Sequence, residues 1–242
     1  MSAAEGRALV RQLFTLPPER MVKGPRSDPE AHKLFDRAYS YRDPGGTEVF
    51  QHVRYRLDPP VNERAKTFRY RWRRDAHCVW VNRKPPGADD FLYRLPELYA
   101  ALRKRTAEPI YWCEGEKDAD ALATLGVLAT SHHQAAAHAT EAQAAWLKPA
   151  RRIVLLADRD VPGAACALHR HRLLRAVGVD PARIRCCVAA EGKDAADHVE
   201  AGYDLDDLVP VRADDLYRAA ARATPATYQR AGYSPPGEDR TS

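Results

Sequence analysis

The sequence predicts an α/β protein, a parallel sheet flanked by helices and preceded by a small, mainly antiparallel β region. Three features carry this. After Pro109, short apolar strands alternate four times with helical segments, the pattern of parallel strands joined through crossover helices. The segment RRIVLLAD (151–158) is continuously apolar after its two arginines, as a central strand buried on both faces should be. Between Ala38 and Lys84, by contrast, side chains alternate with period two around a Pro-Gly-Gly turn, which indicates hairpins.

The first forty residues hold an amphipathic piece from Glu5 to Leu16, a Pro-rich charged connector from Pro17 to Pro29, and a helix predicted over Pro29 to Ala38. AYSYRDPGGTEVFQHVRYRL (38–57) reads as two strands joined at Asp43-Pro44-Gly45-Gly46, where proline presets one backbone angle and glycine supplies a positive one. KTFRYRWR (66–73) and HCVWVNR (77–83) add two short strands, and LYRLPELYAALRKR (92–105) leads out through a helix.

The second half then runs strand IYWCEG (110–115), helix KDADALATLG (117–126), strand VLATSH (127–132) and helix TEAQAAWLK (140–148), with Thr140 as N-cap. RRIVLLAD is the third strand, PGAACALHRHRLLRAVG (162–178) the next helix, RIRCCVAA (183–190) the fourth strand and DAADHVEAG (194–202) a closing helix. The expected division is an N-terminal helical segment and linker (1–38), a basic β region (39–107), the α/β domain (108–210), and a C-terminal helix with a polar, disordered tail (211–242).

No apolar run reaches the roughly 18 residues that a membrane span needs, so no membrane partner is expected. The N-terminus lacks an apolar signal core, and a cytoplasmic location is expected. The five cysteines are odd in number and fall inside predicted elements, so no disulfide framework is expected; Cys186 and Cys187 read as buried apolar residues. The net charge of +5 is mild, but its distribution is not even. Arg54, Arg56, Arg64, Lys66, Arg69, Arg71, Arg73 and Arg74 interleave with Tyr55, Phe68, Tyr70, Trp72 and Trp80. Such a surface suits phosphates and bases through ion pairing and stacking; the alternative is a solvated sheet edge protected by charge.

In an open parallel sheet, ligands bind beyond the carboxyl ends of the strands. The acids fall there: Glu114 after the first strand, Asp158 and Asp160 after the third, and Lys193, Asp194 and Asp197 after the fourth. Alternate residues of an extended segment point the same way, so Asp158 and Asp160 can present two carboxylates to one point, and Glu114 joins them if the first and third strands are neighbours. Carboxylates so close repel unless a cation sits among them, and Mg2+ (or Mn2+) is the natural hard partner. The bland alternative is that Asp160 and Asp194 cap helices while Asp158 pairs with Arg159 or Arg152. Glu116, Asp118 and Asp120 read as helix-start acids. His132, His133 and His138 are expected in a solvated loop, and His169 and His171, two apart on a helix, are not a pair.

EGEKDADAL, LLADRDVPG and GKDAADHVEAG in this order resemble the Toprim domain shared by bacterial-type primases, type IA and II topoisomerases and some nucleases, over about Glu108 to Gly202. The resemblance implies that Glu114 is the acid-base residue, that Asp158 and Asp160 are the metal pair, and that Lys193 and Asp194 border that site. KDAADHVEAG and DRDVPG look closest to primases and primase-like proteins of phages, plasmids and integrated elements. The segment from Tyr39 to Arg73 resembles, more loosely, the basic region preceding Toprim in those proteins. The sequence departs from the family where a glycine-rich loop is common and SHHQAAAHA stands instead. It also holds no cysteine before Cys78, where a zinc-binding module would place ligands.

The expected function is metal-dependent nucleotidyl transfer from nucleoside triphosphates on a single-stranded DNA template, in replication of a mobile element. Arg54, Arg69, Arg71, Trp72, Arg73 and Lys117 are the expected nucleic-acid contacts. The alternatives are a Toprim nuclease with water as nucleophile, or a non-catalytic single-strand-binding partner of a helicase. The sequence contains no GxxxxGK[ST] loop, so any helicase is a separate protein.

Overall fold

The computed structural model describes residues 32–61, 64–73, 80–105, 107–134 and 138–221. The expected amphipathic piece 5–16, the connector after it and the C-terminal tail lie outside the described residues. Among these residues the strands form a four-stranded sheet, order β1-β2-β3-β4, and a five-stranded sheet. The first comprises β1 (His32–Arg42), β2 (Glu48–Val61), β3 (Arg64–Arg73) and β4 (Trp80–Val81), with β3 and β4 antiparallel. The turn between β1 and β2 falls where Asp43-Pro44-Gly45-Gly46 predicts it, with the Thr47 N–H donating to Asp43 Oδ1 at 2.9 Å.

The helix expected over Pro29 to Ala38 is replaced, from His32 on, by β1. HKLFDRAYSYR has acceptable helix formers, but a long partner strand satisfies every other backbone group, and pairing outweighs local propensity.

The chain divides into two compact units. In the unit made of the segments up to Ala38 and from Val53 to Arg69, Val53, Tyr55 and Leu57 are buried. Phe35 meets Tyr55 edge-on with ring centroids 6.3 Å apart, and Arg54 Nε pairs with Asp36 Oδ2 at 2.7 Å.

The other unit holds Tyr39–His52 and everything from Tyr70 on. Its five-stranded sheet has the order β6-β5-β7-β8-β9, with β5 (Ile110–Trp112), β6 (Leu128–Thr130), β7 (Ile153–Ala157), β8 (Ile184–Val188) and β9 (Val209–Val211). The first four are parallel and β9 runs antiparallel to β8. The helices are α1 (Leu95–Arg103), α2 (Glu116–Thr124), α3 (Glu141–Leu147), α4 (Val161–Ala176), α5 (Ala195–Glu200) and α6 (Ala213–Ala220). Thr140 caps α3 in a reciprocal capping box with Gln143, the local signal that starts the helix.

Alternate residues of the central strands serve two cores. Ile110, Trp112, Ile153 and Leu155 pack with Leu95, Leu147, Leu174 and Leu216 on one face. Tyr111, Val154, Leu156 and Cys187 pack with Ala119, Leu122 and Ala195 on the other. A sheet covered on both faces leaves its strand ends as the open surface, and β5 and β7, which carry Glu114 and Asp158 just past their last residues, are neighbours at its centre. No helix among the described residues is long and apolar enough to cross a membrane.

Candidate active site

Glu114 leaves the end of β5 and is buried, 8% exposed, in the turn before α2. Asp158 leaves the end of β7 with its side chain 12% exposed. Burial first, and then the Glu114 and Asp118 carboxylates, push the Asp158 pKa up to about 9. Burial and Asp194 likewise push Asp118 up to about 7. These carboxyls resist ionisation because too many of them share one poorly solvated place, the condition that a divalent cation relieves.

Asp160 and Asp194 each divide their oxygens between two tasks. Asp160 Oδ1 accepts from the Gly163 N–H at 2.7 Å and caps α4, and Asp194 Oδ1 accepts from the Asp197 N–H at 2.9 Å and caps α5. Their other oxygens face ammonium groups. Lys193 Nζ lies 2.9 Å from Asp160 Oδ2 and 3.6 Å from Asp158 Oδ2; Lys117 Nζ lies 3.3 Å from Asp194 Oδ2 and 3.5 Å from Asp197 Oδ1. Burial opposes the charge on Lys193, but Asp160 and Asp158 outweigh it and hold the ammonium above its ordinary pKa. Each cap uses one carboxylate oxygen, so the capping of α4 and α5 does not exclude a ligand role for the other.

Glycine permits the close approach. A Cβ on Gly163 would come within 2.5 Å of the Asp158 carbonyl oxygen and 2.6 Å of its Cβ, so α4 can start against β7 only without one. The loop after β8 is tied to the loop after β7 by the Arg159 N–H donating to the Lys193 carbonyl at 2.8 Å and by Arg159 Nη1 donating to Ala190 O at 3.1 Å. The strand ends bearing Asp158, Lys193 and Asp194 are thus braced to one another.

Among the described residues no group of three or more His, Cys, Asp or Glu side chains is arranged to hold a metal ion. The donor set nonetheless fits a hard cation: all oxygens, in excess of the nearby ammonium charge, with Lys193 and Lys117 standing where positive charge is wanted. An ion bound through one or two carboxylates, completing its shell from water and phosphate, is the ordinary habit of Mg2+.

One expectation is extended and one corrected. Glu116 and Asp118 stand in the first turn of α2, as expected, but these two acids and Asp120 are also tied to side chains and backbone elsewhere. Glu116 is 4% exposed and accepts from the Tyr41 hydroxyl at 2.9 Å and from His52 Nδ1 at 2.6 Å. Asp118 accepts from the Ala196 N–H, linking α2 to α5, and Asp120 accepts from the Tyr93 hydroxyl at 3.0 Å. Asp118 was legible in part: it shares an i,i+4 face with the apolar Leu122. His132 and His133 are buried rather than solvated. His133 donates from Nε2 to Ala88 O at 2.9 Å and accepts at Nδ1 from the Tyr70 hydroxyl, while burial lowers its pKa to about 4; it is a neutral structural residue. His138 is exposed, and His169 bonds the Ala139 carbonyl.

The basic residues are less uniform than their sequence pattern. Arg71 is buried, donates from Nε to Gln51 Oε1 at 2.7 Å and stacks its guanidinium 4.6 Å above Trp80. Arg73 is exposed and covers the same indole at 4.9 Å. Trp72 is half-buried, and Arg69 is exposed and bonded to its own strand at Phe68 O. Arg54 is paired with Asp36, and Lys117 belongs to the acidic cluster.

No protein-family model matches the chain, and no curated protein matches it by sequence. Solved structures do. A DNA primase domain from Pseudomonas aeruginosa aligns with TM-score 0.51 at 17% identity, over 96% of this chain and 68% of that one. The DnaG catalytic core aligns with TM-score 0.50 at 15% identity, over 83% of this chain and 60% of that one. This chain therefore spans about 60% of the length of the DnaG core. The likeness is one of fold: an antiparallel sheet and a five-stranded, mostly parallel sheet flanked by helices, as in the primase Toprim fold.

Proposed function

We propose that the protein is a primase-like nucleotidyltransferase that joins nucleotides on a single-stranded DNA template. The single observation that supports this best is the set of carboxylates Glu114, Asp118, Asp158 and Asp194 gathered at the strand ends of a primase-type sheet, with Asp158 pushed far above the ordinary carboxylate range. Such an arrangement suits a site that takes up cations together with a polyphosphate.

In this reading Asp158 and Asp160, with Asp194 beside them, hold Mg2+ or Mn2+. The ion supplies charge neutralisation at the triphosphate. Glu114 accepts the proton of the attacking 3′ hydroxyl, whose oxygen bonds to the α-phosphorus as pyrophosphate leaves. Lys193, 48% exposed, and Lys117, 41% exposed, can turn from their carboxylates to the phosphates of the incoming nucleotide. Arg69, Arg73 and the half-buried Trp72 hold the template by ion pairing and stacking, while Arg71 positions Trp80. Replication of a mobile element alongside a separate helicase, inside the cytoplasm, completes the reading.

The test is purified protein with single-stranded DNA, labelled nucleotides and Mg2+ or Mn2+. Labelled oligonucleotides support the proposal. Shortened DNA assigns the site to hydrolysis, and retardation of DNA without either product reduces the protein to a binding module.

A further inference from the structure

Arg170 lies on the apolar stripe of α4 with Cys166 and Leu174 and is fully buried. A permanent charge so placed ordinarily faces a carboxylate. Among the described residues Arg170 forms no ion pair; its guanidinium lies 5.8 Å from the centroid of the Trp112 ring and donates its hydrogen bonds to backbone carbonyls. Nη1 donates to Trp112 O at 2.5 Å, Nη2 to Leu156 O at 2.7 Å and Nε to Cys166 O at 3.5 Å.

The two strand partners are placed alike. Trp112 is two residues before Glu114, and Leu156 is two residues before Asp158. The β5–β7 ladder ends at Trp112 opposite Leu155, so the guanidinium grips both strands where their own pairing stops. We infer that Arg170 is a positioning residue that fixes the separation of Glu114 and Asp158 by clamping the carbonyls two residues upstream of each. This rests on the reading of those two acids as the reacting pair.

The chemistry of the side chain supports the role. A guanidinium is a rigid planar fork that can hold two carbonyls at a set spacing, whereas an ammonium on a flexible stem cannot. Seven residues earlier on the same helix, Gly163 touches the Asp158 backbone, so α4 is applied to β7 at two levels. A fixed spacing matters at this point, since a misplacement of about 1 Å at a reacting centre can cost on the order of 100-fold in rate.

The experiment compares wild type with Arg170→Lys, Arg170→Met and Arg170→Ala. Fold is followed by circular dichroism, Mn2+ affinity by electron paramagnetic resonance, and nucleotide incorporation by kcat and KM. Arg170→Lys is expected to stay folded and bind single-stranded DNA as wild type does, with kcat down about 10- to 100-fold, KM little changed and Mn2+ bound several-fold more weakly. Millimolar guanidinium is expected to restore part of the Mn2+ affinity to Arg170→Ala. A folded Arg170→Lys with wild-type kcat and Mn2+ affinity overturns the proposal, as does unfolding of all three variants with and without guanidinium. A wild type that binds Mn2+ but makes no oligonucleotide sinks the functional reading instead, and the Mn2+ comparison then judges Arg170 alone.

Discussion

Glu116 Oε1 accepts a hydrogen bond from His52 Nδ1 at 2.6 Å across 64 residues of chain, joining the first turn of α2 to strand β2. Burial alone would raise the Glu116 pKa, but His52 and the Tyr41 hydroxyl outweigh it and hold the carboxyl below its ordinary value. A carboxyl whose folded pKa is depressed contributes stability above its unfolded pKa and loses it as the pH falls through the lower folded value. Glu116→Gln is therefore expected to lower Tm at neutral pH and to approach wild type in acid. Weakening the hydrogen bonds of a buried polar group costs about 1–3 kcal/mol. Equal Tm values for the two proteins at neutral pH would reject the pair as a structural tie.

The acidic cluster should show the opposite sign. Asp158 and Asp118 titrate high because burial and neighbouring carboxylates oppose their charge. A carboxyl raised in the folded state favours folding below its unfolded pKa and loses that contribution as the pH rises through the folded value. With chelator present, this contribution should decline from about pH 4 to about pH 9, and Mg2+ should restore Tm most at the alkaline end. Differential scanning calorimetry across that range, with and without Mg2+, measures it; a Tm that Mg2+ leaves unmoved at every pH would show that the carboxylates take up no ion.

Gly163→Ala places a methyl group 2.5 Å from the Asp158 carbonyl oxygen, against backbone that cannot rotate away. Overpacking of this kind costs about 1–3 kcal/mol. The substitution is expected to lower Tm by that order and to reduce Mn2+ affinity through displacement of Asp158. Unchanged Mn2+ binding in the folded variant would show that α4 and the Asp158 backbone separate without consequence.

The arginines should separate by burial. Arg69→Ala and Arg73→Ala are expected to flatten the salt dependence of single-strand binding by about 0.7 in logarithmic slope for each phosphate that is no longer neutralised. Arg71→Ala leaves the buried Gln51 oxygen without this donor and should cost about 1–3 kcal/mol of stability instead. Identical salt slopes for wild type and the Arg69, Arg73 double variant would assign the region to a solvated edge.

The sequence was most legible where physics is local. The four strand-helix alternations, the Thr140 cap and the Asp-Pro-Gly-Gly turn all rest on neighbours within a few residues, and each stands where its pattern places it. β9 was not foreseen, because three residues centred on Pro210 become a strand only through pairing with β8. Residues 32–38 misled because they extend β1 well beyond the stretch next to the turn, where only the far part of the long β2 makes them a strand. At the candidate site, the positions of Glu114 and Asp158 at strand ends followed from alternation and apolar runs, whereas the adjacency of β5 and β7 is visible only in the sheet order. The burial of Glu116 did not, since its partners Tyr41 and His52 lie 75 and 64 residues away. Arg170 was visible only as a lone charge on an apolar helical stripe, a pattern that surface helices also show.

If the carboxylates at the ends of β5 and β7 carry out nucleotidyl transfer, incorporation of labelled nucleotides on single-stranded DNA must depend on them. The decisive comparison sets wild type beside Asp158→Asn and Glu114→Gln, with Mg2+ or Mn2+ present. Wild type is expected to make short oligonucleotides. Asp158→Asn is expected to abolish synthesis with the fold kept, and Glu114→Gln to lower kcat at unchanged DNA affinity. Synthesis by Asp158→Asn at the wild-type rate under saturating Mg2+ would contradict that role.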